Sequence, residues 1–230
     1  MNVAVIPARG GSKRIPRKNI KQFCGKPIIA YSIQAAQDSK LFDRIIISTD
    51  SKEIAAIASS YGAEIPFMRP PELADDLTQT DPVILHALKW LLENGQKVNY
   101  VCCIYATAPL IKSKYIRLGL KLLKQHKATS VIPIAPFPSS IFRALKINKK
   151  QRAEMFWPEY FDSRSQDLQT AYYIAGQFIW ADVGKFLEEK SFYSNDAIPL
   201  ILPNYLVQDI DTSEDWKMAE MMFQVNKNTG

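Results

Sequence analysis

The sequence predicts an α/β fold with a mostly parallel sheet and helices on both of its faces. Short apolar runs alternate with amphipathic segments about four times along the chain, which is typical of consecutive strand–helix units. The run Ile45-Ile46-Ile47 is continuously apolar, as in a strand covered on both faces. The 230 residues fit one large domain or two small ones. We predict one domain over residues 1–230.

The first half of the chain has clear signals for element boundaries. Pro27 suits the first turn of a helix, because the N–H that it lacks is not needed there. Asp50 and Ser51 can cap the next helix, and Gly62 is a natural stop for it. Asp81-Pro82 places a cap residue before a first-turn proline. The predicted elements of this half are strands at 3–7, 44–49, 64–68 and 100–105, and helices at 27–39, 52–61 and 81–93.

The second half is less regular. Prolines at 133, 136, 138 and 158 interrupt it, and we expect residues 137–170 to leave the sheet as a flap or as an arm that reaches a partner subunit. Thr212-Ser213-Glu214-Asp215 nearly matches a capping box and begins the last helix. The predicted elements of this half are helices at 114–126 and 212–225, and strands at 129–134, 177–180, 200–202 and 206–211.

Composition excludes several classes of protein. A hydrophobic fraction of 47% with 23% charged residues is not that of a disordered chain. No apolar run approaches the roughly 18–20 residues of a membrane helix, and the N-terminus has no basic leader or cleavage site typical of a signal peptide. Cys102 and Cys103 are adjacent and poorly placed to pair, so we expect a reduced, cytoplasmic protein.

Positive charge is concentrated in the loop that follows the first strand. The first acidic residue is Asp38, and seven basic residues precede it: Arg9, Lys13, Arg14, Arg17, Lys18, Lys21 and Lys26. Gly10 and Gly11 allow backbone N–H groups to approach an anion closely, and open α/β sheets bind ligands at the carboxyl ends of their strands. The spacing matches neither a Walker A motif nor a dinucleotide fingerprint. A solvated basic turn is the alternative, but the position of the loop favours polyphosphate binding.

Asp209-Ile210-Asp211 is the second candidate site. In a strand, residues two apart point to the same face, so both carboxylates would converge there. Two crowded acids repel each other unless a cation lies between them, and Mg²⁺ takes one or two carboxylates together with phosphate oxygens. The alternative is that Asp211 only precedes the helix cap and that Asp209 is solvated. Next to a polyphosphate loop, the metal interpretation is favoured.

Three further segments contain possible ligand-binding residues, each with a plainer alternative. The segment from Arg69 to Asp76, with Thr80 beyond it, is either a ligand loop or a salt-bridged surface loop. The segment from Tyr105 to Pro109 ends a buried strand and either lines a site or forms a turn. Arg164, Ser165 and Gln166, together with Gln177, offer a guanidinium, a hydroxyl and amides for a carboxylated, polyhydroxylated ligand, or else form loop-to-loop hydrogen bonds.

Taken together, these motifs resemble the acylneuraminate cytidylyltransferase family, whose members activate sialic-acid-like sugars. The similarity covers nearly the whole chain. The segments that carry it are Ile6–Lys13, Ser48–Asp50, Arg69–Ala74 and Asp209–Thr212. Within the family, the chain looks closest to the members that act on pseudaminic acid, on the segments Phe23–Ser32, Cys102–Tyr105, Arg164–Leu168 and Ala175–Phe178.

The resemblance implies a nucleotide-diphospho-sugar transferase-like three-layer sandwich, Rossmann-like in its mostly parallel sheet, and a homodimer in which an arm of one subunit covers the site of the other. It implies that the enzyme transfers CMP from CTP to a nonulosonic acid.

The resemblance also assigns roles to residues. The CTP-binding set is Ala8, Arg9, Gly10, Gly11, Ser12, Lys13, Lys18, Arg69 and Thr80, the last two near the cytosine. The catalytic set is Arg9, Lys13, Lys18 and Asp211, and Mg²⁺ is bound by Asp209 and Asp211.

The sugar-binding set is Tyr105, Arg164, Ser165, Gln166 and Gln177. Family members that use sialic acid usually have Gln-Pro-Thr-Ser-Pro where this chain has Tyr105-Ala106-Thr107-Ala108-Pro109. Tyr105 thus replaces an amide that contacts the sugar, which favours a differently substituted nine-carbon acid such as pseudaminic acid. Sialic acid, legionaminic acid and 3-deoxy-octulosonate remain alternative acceptors.

A nucleic-acid-binding protein is the alternative from another class, because the sequence pI is about 9.1. Such a protein would spread its basic residues over one face with aromatic residues between them. Here seven bases precede the first acid, and an acid pair near them would repel a phosphate backbone. We therefore expect neither a nucleic-acid partner nor a membrane partner.

Overall fold

The computed structural model describes residues 1–228, and in this part of the chain eleven strands and six α-helices follow one another. The strands are β1 (Asn2–Pro7), β2 (Gln22–Phe23), β3 (Lys26–Pro27), β4 (Arg44–Ser48), β5 (Tyr100–Ile104), β6 (Ser130–Pro136), β7 (Leu145–Ile147), β8 (Ala153–Met155), β9 (Tyr172–Ile174), β10 (Phe178–Asp182) and β11 (Ile198–Ile201). The helices are α1 (Ile28–Ser39), α2 (Lys52–Ser60), α3 (Thr80–Glu93), α4 (Ser113–His126), α5 (Val183–Glu189) and α6 (Ser213–Asn228).

The central sheet has the strand order β11-β6-β10-β5-β1-β4, and β9 also pairs with β6. The pairs β1–β4, β1–β5 and β6–β11 are parallel, whereas β10 runs antiparallel to both of its neighbours. The predicted mostly parallel sheet is confirmed. Its strands β1, β4 and β5 end at the same edge, so the loops that follow them meet there.

Helices cover both faces of the sheet, as the apolar strands require. On one face, Ile33 of α1 and Ile116 of α4 are buried in a cluster with Trp180 of β10. On the other face, Leu88 of α3 and Phe186 of α5 are buried in a second cluster. These two layers of apolar contact hold the sheet rigidly beneath the loops at its edge.

A third apolar cluster joins the N-terminal loop to the last helix. Phe23 of β2 packs edge-on against Trp216 of α6, with the ring centroids 5.4 Å apart, and Ile28 and Ile210 are buried beside them. Edge-to-face aromatic pairs of this kind favour a fixed geometry. The segment before α6 is thereby held close to the loop after β1.

Residues 137–170 form an excursion from the sheet. Between β6 and β9, the strands β7 and β8 pair only with each other, and short 3-10 turns occupy Ile141–Arg143, Pro158–Tyr160 and Ser165–Asp167. Several large apolar side chains in this excursion and in β9 are exposed: Phe137, Leu145, Ile147, Phe156, Phe161, Tyr172 and Ile174.

Two predicted strands do not form in residues 1–228, and one α-helix was not predicted. The segment 64–68 contributes only an isolated bridge between Glu64 and Ile46. The segment 206–211 pairs with no strand: Leu206 ends a 3-10 turn, and side chains bond two of the carbonyls, since Gln177 donates to Leu206 and Lys18 donates to Ile210. Helix α5, which Asp182 caps, was not predicted.

Candidate functional site

A cleft of about 480 Å³ opens where β1, β4 and β5 end. Pro7 ends β1, Arg69 is bonded to the end of β4, and Tyr105 follows β5, so each strand brings one wall of the cleft. The residues that line it are Pro7, Arg9, Ser12, Lys13, Arg14, Lys18, Asn19, Arg69, Asp76, Thr78, Gln79, Thr80, Val83, Tyr105, Ala106 and Thr107. The lining is rich in cations, so the cleft fits an anionic ligand.

The cation loop, residues 8–19, is fixed by hydrogen bonds to its surroundings. Ala8 continues the β1 ladder by donating to the Ser48 carbonyl at 2.9 Å. The Gly10 N–H donates to the Asp50 carboxylate at 2.8 Å, and a Cβ at Gly10 would lie 3.2 Å from that of Ser51. Glycine therefore permits this close approach to the start of α2. Because Asp50 accepts from the Gly10 N–H, this amide already has a partner.

Two carboxylates pair with the four cations of the cation loop that line the cleft. On one side, Asp76 bridges Arg9, at 2.5 Å, and Lys13. On the other side, Asp211 pairs with Arg14 at 2.7 Å and with Lys18 at 3.4 Å. The contacts with Arg9 and Lys13 hold the pKa of the Asp76 carboxyl below its usual value. The cation loop thus forms ion pairs with one carboxylate on each side of it, Asp76 and Asp211.

Arg69 is a buried cation at the base of the cleft. Its guanidinium donates to both the hydroxyl and the carbonyl of Ser48, and more weakly to the Leu73 carbonyl at 3.4 Å. Among residues 1–228, no carboxylate forms a salt bridge with it. Burial lowers the pKa of Arg69 to about 10, against the weaker opposing effect of Asp50. Such a fixed and unpaired cation can bind a polar or anionic ligand group.

Asp209 and Asp211 lie beside the cleft although they are not in a strand. Burial raises the pKa of the Asp209 carboxyl, and the negative charge of Asp211 raises it further. Within the described residues, no group of three His, Cys, Asp or Glu side chains forms a ready metal site. Two mutually repelling oxygen donors next to a cation-lined cleft nevertheless fit a hard divalent cation, whose coordination shell water and ligand oxygens would complete.

Tyr105 lies close to both Thr80 and Gln177 in the wall of the cleft. The Tyr105 N–H donates to the Gln177 carbonyl at 2.9 Å, and the Ser32 hydroxyl donates to the Tyr105 carbonyl at 2.7 Å. Burial raises the pKa of the Tyr105 phenol, so this side chain is neutral at physiological pH. The buried Gln177 amide donates to the Leu206 carbonyl. Tyr105 and Thr80 line the cleft, whereas Gln177 supports its wall.

The remaining sugar candidates lie away from the cleft. Arg164, Ser165 and Gln166 belong to the excursion 137–170, and the Ser165 hydroxyl accepts a hydrogen bond from Arg143 at 3.3 Å. They are not among the residues that line the cleft.

Of the predicted CTP residues, Arg9, Ser12, Lys13, Lys18, Arg69 and Thr80 line the cleft, and Ala8, Gly10 and Gly11 form the backbone of its cation loop. Arg14, which the sequence placed among the bases of the polyphosphate loop, lines the cleft as well, whereas sequence reasoning missed Asn19 and Asp76 as lining residues. The interpretation of residues 69–76 as a salt-bridged loop indicated an ion pair for Asp76. Only the fold shows that the partners of Asp76 are Arg9 and Lys13.

Known proteins are similar to this chain along almost its whole length. A family model described as cytidylyltransferase matches residues 3–208. A pseudaminic acid cytidylyltransferase of Campylobacter jejuni is 40% identical over 98% of this chain and 97% of its own length. A CMP-N,N'-diacetyllegionaminic acid synthase of Legionella pneumophila is 34% identical over 98% and 97% of the two chains. An N-acylneuraminate cytidylyltransferase of Escherichia coli is 30% identical over 98% of this chain and 52% of its own.

Among solved structures, a CMP:2-keto-3-deoxy-manno-octonic acid synthetase complexed with CTP has a TM-score of 0.71. The alignment covers 98% of this chain and 99% of that one at 14% identity. At this identity the likeness concerns the fold alone.

Proposed function

The chain belongs to the cytidylyltransferase family, and from this membership we propose that it transfers CMP from CTP to the anomeric hydroxyl of a nonulosonic acid. The chain is a nucleotidyltransferase enzyme. The observation that best supports the proposal is the single cleft that Arg9, Lys13, Arg14 and Lys18 line together with the buried Arg69. A triphosphate needs such a group of fixed cations, and a cleft at the carboxyl edge of the sheet admits both substrates.

In the proposed reaction, the anomeric hydroxyl attacks the α-phosphorus of CTP in line, and the bond to the bridging oxygen of the leaving pyrophosphate breaks. The attacking hydroxyl loses its proton, and we assign no side chain as its base. Arg9, Lys13 and Lys18 bind the phosphates and neutralise the charge that develops on the leaving group. Once they hold the phosphates, these cations lower the barrier through orientation and electrostatic stabilisation.

We propose that Asp209 and Asp211 hold Mg²⁺ at the edge of the cleft. When bound, Mg²⁺ would supply charge neutralisation for the phosphates and acidify a coordinated hydroxyl. Lys18 supports this assignment, because it lies 3.4 Å from Asp211 and lines the phosphate cleft as well. A cation bound by the acids would therefore adjoin the phosphates.

The proposed acceptor is pseudaminic acid. The similarity to the Campylobacter jejuni enzyme over almost the whole of both chains supports this choice, as does Tyr105 in the wall of the cleft. Legionaminic acid is the alternative acceptor supported by the Legionella pneumophila relative.

We further propose that Arg69 and Thr80 lie near the cytosine, and that Arg164, Ser165 and Gln166 reach the sugar of a partner's site.

We also propose a cytoplasmic homodimer whose arm is the excursion 137–170. The exposed apolar side chains of that arm, Ile147 and Phe161 among them, support an interface there. In the described residues, no helix is long and apolar enough to cross a membrane.

The test is pyrophosphate release by the purified protein with CTP, Mg²⁺ and one acceptor at a time. The panel consists of pseudaminic, legionaminic and N-acetylneuraminic acids and 3-deoxy-octulosonate. We expect release with CTP that exceeds release with the other nucleoside triphosphates, and the highest kcat/KM with pseudaminic acid. No release with any acid would contradict the proposal, and tight, steeply salt-dependent binding to generic DNA would support the nucleic-acid alternative.

A further inference from the structure

We propose that the Asp76 carboxylate occupies the place of a phosphate group of the triphosphate. It holds Arg9 and Lys13 in their binding positions and releases both when CTP enters. This inference rests on the proposed function, because CTP is the source of the triphosphate. It assigns Asp76 as a positioning residue, which acts through the two cations and is displaced by the substrate.

The geometry of the carboxylate carries the inference. Asp76 uses one oxygen for Arg9, at 2.5 Å, and the other oxygen for Lys13. All three side chains line the same cleft. A phosphate group that bound both cations would need an oxygen near each of them, so it would occupy the space that the Asp76 carboxylate now fills. The carboxylate and the phosphate therefore exclude each other.

The loop around Asp76 is built to present this carboxylate. The neighbouring Asp75 carboxylate accepts hydrogen bonds from the N–H groups of Leu77 at 3.1 Å and Thr78 at 2.7 Å. This Asx-type turn fixes the backbone that follows Asp76 in the chain. The Arg9 guanidinium donates to the Asp75 carbonyl at 3.0 Å as well as to Asp76. Arg9 thus recognises two consecutive groups of the loop, which distinguishes this contact from a random surface ion pair.

The contact is also weak enough to be exchanged. The side chain of Asp76 is 38% exposed and that of Lys13 is 80% exposed. Ion pairs in contact with water contribute little net stability. A triphosphate carries several negative charges and makes charge-assisted hydrogen bonds to both cations at once, so it outcompetes a single carboxylate. Until it does so, Asp76 reduces the repulsion between Arg9 and Lys13.

The Asp76→Asn substitution tests the inference, because it removes the competing charge with little change of size. The probe is inorganic tripolyphosphate, titrated by calorimetry without Mg²⁺ and without acceptor. We expect Asp76→Asn to bind it about threefold to tenfold more tightly than wild type, in line with the loss of two exposed ion pairs. Asp76→Glu keeps the charge and should bind like wild type. In the full reaction, the KM for CTP should fall while kcat does not rise.

Asp75→Asn is the matched control. It removes the same charge one position away, the new side chain can still accept from Leu77 and Thr78, and the original carboxylate forms no salt bridge with Arg9 or Lys13. We expect its affinity for tripolyphosphate to stay within about twofold of wild type. Unchanged or weaker binding by Asp76→Asn, or equal tightening in both variants, would overturn the inference. A wild-type protein that binds neither tripolyphosphate nor CTP would instead overturn the proposed function.

Discussion

Lys18 and Asp211 are 193 positions apart in the chain, yet the Lys18 ammonium lies 3.4 Å from the Asp211 carboxylate. The same ammonium donates to the Ile210 carbonyl at 2.7 Å. The packing of Phe23 against Trp216 maintains this contact, because it holds the segment before α6 beside the cation loop. Asp211, which we propose to bind the metal, and Lys18, which we propose to bind a phosphate, are therefore neighbours. Both are expected to act on the same group of the substrate.

We expect Lys13→Ala to weaken the use of CTP much more than the use of the sugar acid. Lys13 lines the cleft and contacts only the Asp76 carboxylate in a salt bridge, so its charge is available to a phosphate. Loss of a hydrogen bond to a charged group predicts a rise of about tenfold or more in the KM for CTP. Steady-state kinetics with each substrate varied separately measures the effect.

The control for this prediction is Lys121→Ala, which removes an exposed lysine from α4, outside the cleft. Its kinetic constants should match those of wild type. An effect of Lys13→Ala that is confined to the sugar acid would show that the cation loop faces the other ligand.

We expect an absolute requirement for a divalent metal, and loss of most of kcat in Asp211→Ala. A charge that stabilises the transition state is typically worth about a hundredfold or more in kcat. Chelation should abolish turnover of the wild type, and Mg²⁺ should restore it. Binding of Mn²⁺ in the presence of CTP, followed by electron paramagnetic resonance, should weaken in the variant. Near-normal turnover of Asp211→Ala with Mg²⁺ would remove this carboxylate from the metal site.

The sequence predicted those parts of the molecule that depend on local signals. The alternation of apolar strands and amphipathic helices was sufficient for β1, β4, β5 and α1–α4 and for the edge at which their loops meet, although Asp81, predicted as a cap, lies inside α3. The cation loop was recognisable because glycines and bases follow the first strand directly. Helix α5 was not predicted because it is only seven residues long, directly follows a strand and has Gly184, a poor helix former, as its second residue.

Contacts between distant segments were not predictable in the same way. The pattern of residues 206–211 is that of a strand, but the Gln177 and Lys18 side chains take the carbonyls of Leu206 and Ile210. Both donors are far away in the chain, so no local signal announces them. The same holds for Asp76, whose partners Arg9 and Lys13 lie more than sixty residues earlier.

We expect the protein to be a homodimer that depends on the excursion 137–170. The side chain of Ile147 is 75% exposed and that of Phe161 is 67% exposed, which favours burial against a second subunit. Replacing both by Glu should shift the sedimentation coefficient to that of a monomer. Met221→Glu, at an exposed apolar position of α6, is the matched control and should remain dimeric. A wild-type protein that sediments as a compact monomer at working concentration would contradict the prediction.

The choice of acceptor is expected to depend on the end of the cleft at Tyr105. This partly buried side chain lines the cleft, where its ring is expected to narrow the pocket and to offer it an apolar face. Pseudaminic acid has a deoxy methyl terminus and a second acylamido group in place of hydroxyls of N-acetylneuraminic acid. A site shaped for the methyl group leaves an additional hydroxyl without a partner, and unmatched polar groups are costly.

We therefore expect kcat/KM for pseudaminic acid to exceed that for N-acetylneuraminic acid by about a hundredfold or more. Competition between the two acids for limiting enzyme, with CTP and Mg²⁺ in excess, measures the ratio directly. Tyr105→Gln places an amide at this position and should narrow the ratio, whereas Tyr105→Phe keeps the ring and should preserve it. Because the Tyr105 backbone is held by Gln177 and Ser32, both substitutions change the side chain without releasing the wall. Equal turnover of the two acids by the wild type would refute the preference for pseudaminic acid and leave the transfer of CMP to a nonulosonic acid intact.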